Sequence, residues 1–160
     1  MKRLWAPWRM AWLAGAEAPA GCIFCNALSA GDDRRLLVVL RSTHAYLILN
    51  AYPYTSGHLM AVVNRHVAAV ADATAEEIAD AMRLVGAATR ALADEYRAQG
   101  FNIGINQGRA AGAGIEGHLH VHVVPRWEGD SNFMPVVGEV RVLPEALETT
   151  WERLARRLRG

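Results

Sequence analysis

The chain has little cysteine, no excess of charge of either sign and no long uninterrupted apolar run. Its two cysteines, Cys22 and Cys25, are too few for a disulfide scaffold. In a reducing compartment their C-x-x-C spacing points to metal binding or to redox chemistry. Seventeen Lys and Arg against sixteen Asp and Glu leave a formal charge of +1, which excludes bulk capture of nucleic acid or of a membrane surface by charge alone. Any anionic ligand has to be held locally. The longest stretch free of Asp, Glu, Lys and Arg runs from Ser42 to Asn64, but His44, Pro53, Gly57 and His58 lie within it, so it cannot span a bilayer. Lys2 and Arg3 precede an apolar patch in the manner of a secretory signal, yet Pro7 and Arg9 interrupt it before it reaches signal length. The expected location is cytoplasmic. There are no internal repeats and no low-complexity tracts.

What is present suffices for one domain with a real core: 160 residues, 52% of them apolar, exclude both intrinsic disorder and two independent enzymatic domains. Residues 1–21 carry Trp5, Trp8 and Trp12 with Pro7 and Pro19 and read as an arm whose indoles pack on the body or on a second subunit. Leu36–Leu40 and Ala45–Leu49 suit two strands joined by a tight turn at Arg41, Ser42 and Thr43, and Leu59–Val63 suits a third, entered through the turn-forming residues 53–57. Thr74 and Glu77 form a T-x-x-E capping box, after which Ile78, Met82, Val85, Thr89, Leu92 and Tyr96 recur at helical spacing. This helix is expected to stop near Gly100, a residue able to take the left-handed conformation. Phe101–Ile105 and the segment around Leu119, Val121 and Val123 read as strands. Pro144 opens a final helix with Leu147, Trp151, Leu154 and Leu158 on its apolar face. The order strands, helix, strands, helix favours an α+β domain with a mainly antiparallel sheet.

The run Gly117-His118-Leu119-His120-Val121-His122-Val123-Val124-Pro125 is the most informative. Alternate side chains of a strand face opposite sides, so the imidazoles share one face while Leu119, Val121 and Val123 enter the core. Neighbouring same-face positions are about 6.6 Å apart and the outer pair about 13 Å, so a single metal can take two of these histidines but hardly three. A division of labour follows: one imidazole attacks an electrophile while a neighbour manages the proton of the leaving group. Phosphorus is the natural electrophile. Just upstream, Gly104, Asn106, Gln107, Gly108, Gly112, Gly114 and Gly117 make a Gly-rich loop whose amides and side chains can surround phosphate oxygens.

His118-Leu-His120-Val-His122-Val-Val resembles the signature of the histidine triad (HIT) nucleotide hydrolases and transferases. Asn50 eight residues before His58, and Gln107 eleven before His118, extend the resemblance over roughly residues 22–127. Leu4 to Met10, together with Pro125-Arg-Trp-x-Gly-Asp-x-Asn-Phe133, looks like the bacterial diadenosine tetraphosphate phosphorylase branch. The resemblance implies a HIT-like fold of about five strands, one long central helix and a C-terminal helix, divided into an arm (1–21), a HIT domain (22–135) and a helical extension packed on it (136–160). It also implies His120 as nucleophile, His122 assisting the leaving group and His58 orienting the triad. Asn50 is then the ribose contact, and Gln107, Gly112, Gly114 and His122 contact the phosphates. Many relatives carry Gln and Ser or Thr four and three residues before the first triad histidine. Here these are Gly114 and Ile115, which bears on phosphate-chain preference and leaves room for inorganic phosphate as acceptor.

Zinc-bearing relatives complete a C-x-x-C pair with two histidines. The matching positions, His66 and His118, would make a structural Cys₂His₂ zinc site with Cys22 and Cys25. The implied activity is nucleotidyl transfer from a dinucleoside polyphosphate, diadenosine tetraphosphate first among them. Inorganic phosphate as acceptor would give ADP and ATP. Hydrolysis of dinucleoside polyphosphates or adenosine phosphoramidates, a zinc-dependent hydrolase and a noncatalytic nucleotide-binding protein are the alternatives. Neither nucleic acid nor membrane is an expected partner. A homodimer is expected.

Overall fold

A computed structural model of the chain describes residues 21–130 and 145–160. The Trp5, Trp8 and Trp12 arm, Asn132, Phe133 and Pro144 lie outside the described residues. The elements are α1 (Ile23–Ser29), β1 (Val38–Arg41), β2 (Ala45–Leu49), β3 (Leu59–Val63), α2 (Ala75–Tyr96), β4 (Gly100–Gly104), β5 (His120–Arg126) and α3 (Leu147–Arg159). The fold is α+β, as expected: one five-stranded sheet in the order β1-β2-β3-β5-β4, with every pairing antiparallel. Among the described residues no helix is long and apolar enough to cross a membrane.

Strand alternation sorts the side chains into two layers. Ala45, Leu47, Leu49, Leu59, Ala61, Val63, Leu119, Val121 and Val123 point toward α2 and α3 and form the main core. Tyr46 and Ile48 of β2, with Met60 and Val62 of β3, point the other way and pack on Phe24 and Ala27 of α1. Both central strands are therefore buried on both faces, which explains why they read as continuous apolar runs. The short helix α1 is not signalled by periodicity, since seven residues give too few turns for an apolar stripe.

Helix α2 begins at the expected capping box. Thr74 Oγ1 accepts from the Glu77 amide at 3.2 Å and Glu77 Oε2 accepts from the Thr74 amide at 2.8 Å. Two expectations for this helix need correction. Its end is set by Arg97, left-handed at φ 54°, whereas Gly100 opens β4. Its buried face is Ala81, Leu84, Val85, Ala88, Ala91 and Leu92, while Met82 is 48% exposed. Three alanines bring the helix axis close to the sheet. The larger residues Ile78 and Tyr96 pack only at its two ends.

Helix α3 closes the outer edge of the sheet. Trp151 Nε1 donates to the Val38 carbonyl at 2.9 Å, and Arg159 donates from Nε to Val39 at 2.7 Å and from Nη2 to Val38 at 3.0 Å. These donors replace a neighbouring strand. Between β3 and α2, Arg65 grips Glu77 with two bonds of 2.8 Å. The Arg65 guanidinium, ahead of the Thr74 amide, holds the Glu77 carboxyl down at about 2.

The ordinary value for that carboxyl is 4.5, so its contribution is complete above pH 4.5 and is lost as pH falls through about 2. Glu77→Gln is expected to lower the melting temperature at neutral pH and to flatten its decline between pH 4.5 and 2. Thermal melts of both proteins across that range check it, and parallel curves would contradict it.

Candidate active site

The register of β3 on β5 sets Met60 opposite His122 and Val62 opposite His120. His58 stands one residue before β3, fully buried, so it reaches β5 on the histidine face. Its Nε2 lies 2.9 Å from His122 Nδ1. Its Nδ1 accepts from the Tyr54 backbone amide at 3.2 Å and lies 3.4 Å from Asn50 Nδ2. An imidazole nitrogen that accepts from a backbone N–H carries no proton, so the proton of neutral His58 is on Nε2. That proton is donated to His122 Nδ1, which leaves the His122 proton on Nε2. On His120, Nδ1 lies 2.7 Å from the His118 carbonyl; only N–H can bond a carbonyl, so the lone pair is on His120 Nε2. The rings of His120 and His122 meet nearly at right angles, 74°, with centroids 4.9 Å apart. Burial above all keeps the His120 and His122 imidazoles below the ordinary histidine value, which favours the neutral forms.

His118 belongs to a second cluster. Its Nε2 donates to the Val63 carbonyl at 2.6 Å, so its Nδ1 lone pair faces Cys22 Sγ at 3.3 Å and Cys25 Sγ at 3.6 Å. His66 Nδ1 lies 3.4 Å from Cys25 Sγ. The four ligand atoms lie within 4.8 Å of one another and can hold a metal ion. Tetrahedral zinc, with bonds of about 2.3 Å to sulfur and 2.0 Å to nitrogen, requires ligand separations of roughly 3.3 to 3.8 Å. The donor set fits. The ridge of three imidazoles thus divides, with one ring turned to the cysteines and the other two packed on each other beside His58.

The remaining expected residues are distributed around this centre. Asn50 Oδ1 accepts from the Tyr52 amide at 2.9 Å, and the Asn50 amide donates to the His58 carbonyl at 2.9 Å, so Asn50 closes the loop that carries His58. Gln107 is exposed, and its Oε1 accepts from the Val70 amide at 2.9 Å, which turns its side chain to the turn before α2. Its amide group remains the donor end. Gly112 is left-handed at φ 81°, and a Cβ on Gly114 would meet nothing within 4 Å, so this part of the loop offers open backbone. Two neighbours escaped the sequence reading. Tyr54 lies with its ring 4.7 Å from His58, and Phe24 contacts both His118 and His120. Phe24 lies inside the C-x-x-C motif, a position that draws attention only once the motif is known to abut the histidines.

The HIT domain family model matches residues 34–129, and the chain belongs to the HIT family. A Mycobacterium tuberculosis protein named AP-4-A phosphorylase is 41% identical over 164 residues, covering 97% of this chain and 83% of that protein. A Zn-bound histidine triad family protein from Mycobacterium smegmatis superposes with a TM-score of 0.72 at 29% identity, covering 87% of this chain and 94% of that one. A Plasmodium falciparum diadenosine triphosphate hydrolase, at a TM-score of 0.60 and 21% identity over 78% of this chain and 76% of that one, shares the fold. The chain is an enzyme of the HIT family.

Gly57, at φ +81°, turns the chain into His58, and a Cβ there would lie 2.7 Å from Leu92 Cδ2. Leu92 is fully buried, so its Cδ2 methyl would have to shift within the core. Gly57→Ala is therefore expected to cost about 2 to 5 kcal/mol, the sum of a left-handed non-glycine and an overpacked core. Urea unfolding measures it, and a midpoint equal to that of the wild type would contradict the steric argument.

Proposed function

We propose that this enzyme transfers a nucleotidyl group from a dinucleoside polyphosphate, diadenosine tetraphosphate first among them, to inorganic phosphate through a nucleotidyl-His120 intermediate. The observation that carries this reading is the pair of ring contacts, His58 Nε2 with His122 Nδ1 and His120 Nδ1 with the His118 carbonyl, which assign a lone pair to His120 Nε2 and a proton to His122 Nε2. The His120 Nε2 lone pair attacks the α-phosphorus, and the bond from phosphorus to the bridging oxygen breaks. The leaving nucleotide departs with that electron pair and takes the His122 proton. An oxygen of inorganic phosphate then attacks the α-phosphorus, breaks the P–N bond and returns a proton to His122. The products from diadenosine tetraphosphate are ATP from the first step and ADP from the second.

His58 orients His122 by its 2.9 Å bond. Asn50 contacts the ribose, while the Gln107 amide group and the backbone at Gly112 and Gly114 bind the phosphates. The named function of the 41%-identical relative supports this substrate class. The absence of side-chain donors at Gly114 and the apolar Ile115 leaves space and open amides for a free phosphate as acceptor. Cys22, Cys25, His66 and His118 would hold a zinc ion, which would tie α1 and the loop before α2 to the sheet.

Two measurements test the reading. Incubation with diadenosine tetraphosphate should yield ADP and ATP only when phosphate is present, and labelled substrate without acceptor should leave label on His120. His120→Ala should abolish both, a loss of 10⁴-fold or more for a nucleophile acting with its proton partner, with the protein still folding cooperatively. ATP with AMP in both conditions would instead make it a hydrolase. For the metal, the purified protein should contain zinc, and chelation should lower the melting temperature by several degrees. Loss of activity with an unchanged melting temperature would make the zinc catalytic and overturn its structural role.

A further inference from the structure

Phe24 joins the two halves of this site. It is completely buried, and its ring stands edge-on to His118 at 5.5 Å and 77° and tilted against His120 at 5.0 Å and 52°. The His120 ring is thus bounded by the His118 carbonyl on its Nδ1 edge, by His122 and by Phe24. A half-turn about the Cβ–Cγ bond would present the other ring edge to the His118 carbonyl and take the Nε2 lone pair out of line. The Nδ1–H bond to the His118 carbonyl opposes that rotation, because breaking it would leave a buried donor and acceptor unsatisfied. Phe24, packed against the His120 ring with centroids 5.0 Å apart, adds a second restraint on the imidazole. Phe24 is itself held: its carbonyl accepts from the Tyr46 hydroxyl at 2.8 Å, and Tyr46 is buried in the central strand β2.

We propose that Phe24 is a positioning residue, holding the His120 imidazole in the orientation from which Nε2 attacks, with the Tyr46 hydroxyl holding Phe24 in turn. This rests on the nucleotidyl-His120 reading. Space-filling alone is a role that leucine can share; a flat ring packed against the imidazole is one that it cannot.

The test uses the purified full chain and three variants: Phe24→Leu, Tyr46→Phe, which keeps both rings but releases the Phe24 carbonyl, and Val38→Ala, a control in the same apolar cluster. For each, the rate of label transfer to His120 in a single turnover, KM, the melting temperature and the His120 tautomer by ¹⁵N NMR are measured. Phe24→Leu is expected to slow label transfer roughly 10- to 100-fold, the penalty of a misplaced reacting group, with KM little changed and His120 appearing as a mixture of tautomers. Tyr46→Phe should move the same two readouts in the same direction by less. Val38→Ala should lower the melting temperature while leaving rate and tautomer alone. An unchanged rate and tautomer in Phe24→Leu, or an equal loss of rate in Val38→Ala, would overturn the proposal. If Phe24→Leu does not fold, unchanged values in Tyr46→Phe overturn it. Absence of label on His120 in the wild type would strike at the transfer mechanism itself and is read before any variant.

Discussion

The register of β3 against β5 is the constraint on which this site depends. With Met60 opposite His122 and Val62 opposite His120, His58 falls where its Nε2 can donate to His122. A slip of one residue would exchange the two faces of β5. It would drive His120 and His122 into the α2 layer and bring Val121 and Val123 out. The register is held on both sides, because β2 and β3 are apolar on both faces and each face has its own cover. The geometry of the paired histidines is therefore a by-product of core packing.

From that register follows a chain of proton assignments that runs backbone to imidazole to imidazole. The Tyr54 amide fixes the His58 tautomer, and His58 fixes that of His122. The His118 carbonyl does the same for His120. Backbone groups thus set the tautomers of His58 and His120 directly, and that of His122 through His58. His118 serves twice. Its carbonyl governs the neighbouring ring while its own ring turns to the cysteines, so the two centres share one residue without sharing a side chain.

Much of this was legible in the sequence because period-two alternation and the capping box are local signals. β2 and β3 fall where the apolar runs put them, and α2 starts at Thr74. The end of α2 was misread because the chain uses Arg97 in a left-handed conformation that glycine usually takes. Its expected face holds at Ile78, Val85, Leu92 and Tyr96 and fails at Met82, because the alanines at 81, 88 and 91 count little in an apolar pattern yet lie on the side that meets the sheet. The three histidines signalled phosphorus chemistry, and their division between two centres was beyond spacing alone. It depends on the Val63 carbonyl, which only the folded chain brings to His118. Gln107 illustrates the same limit: its side chain is turned by the Val70 amide, thirty-seven residues away in sequence.

The cover that α3 lays over β1 bears on how this sheet can grow. With the Val38 and Val39 carbonyls already taken by Trp151 and Arg159, the opposite border, β4, is the one left for backbone pairing among the described residues. A ribbon with a single open margin terminates after one union: two copies joined there by a two-fold axis would consume both margins. Among the described residues, strand addition would then have no second edge from which to continue.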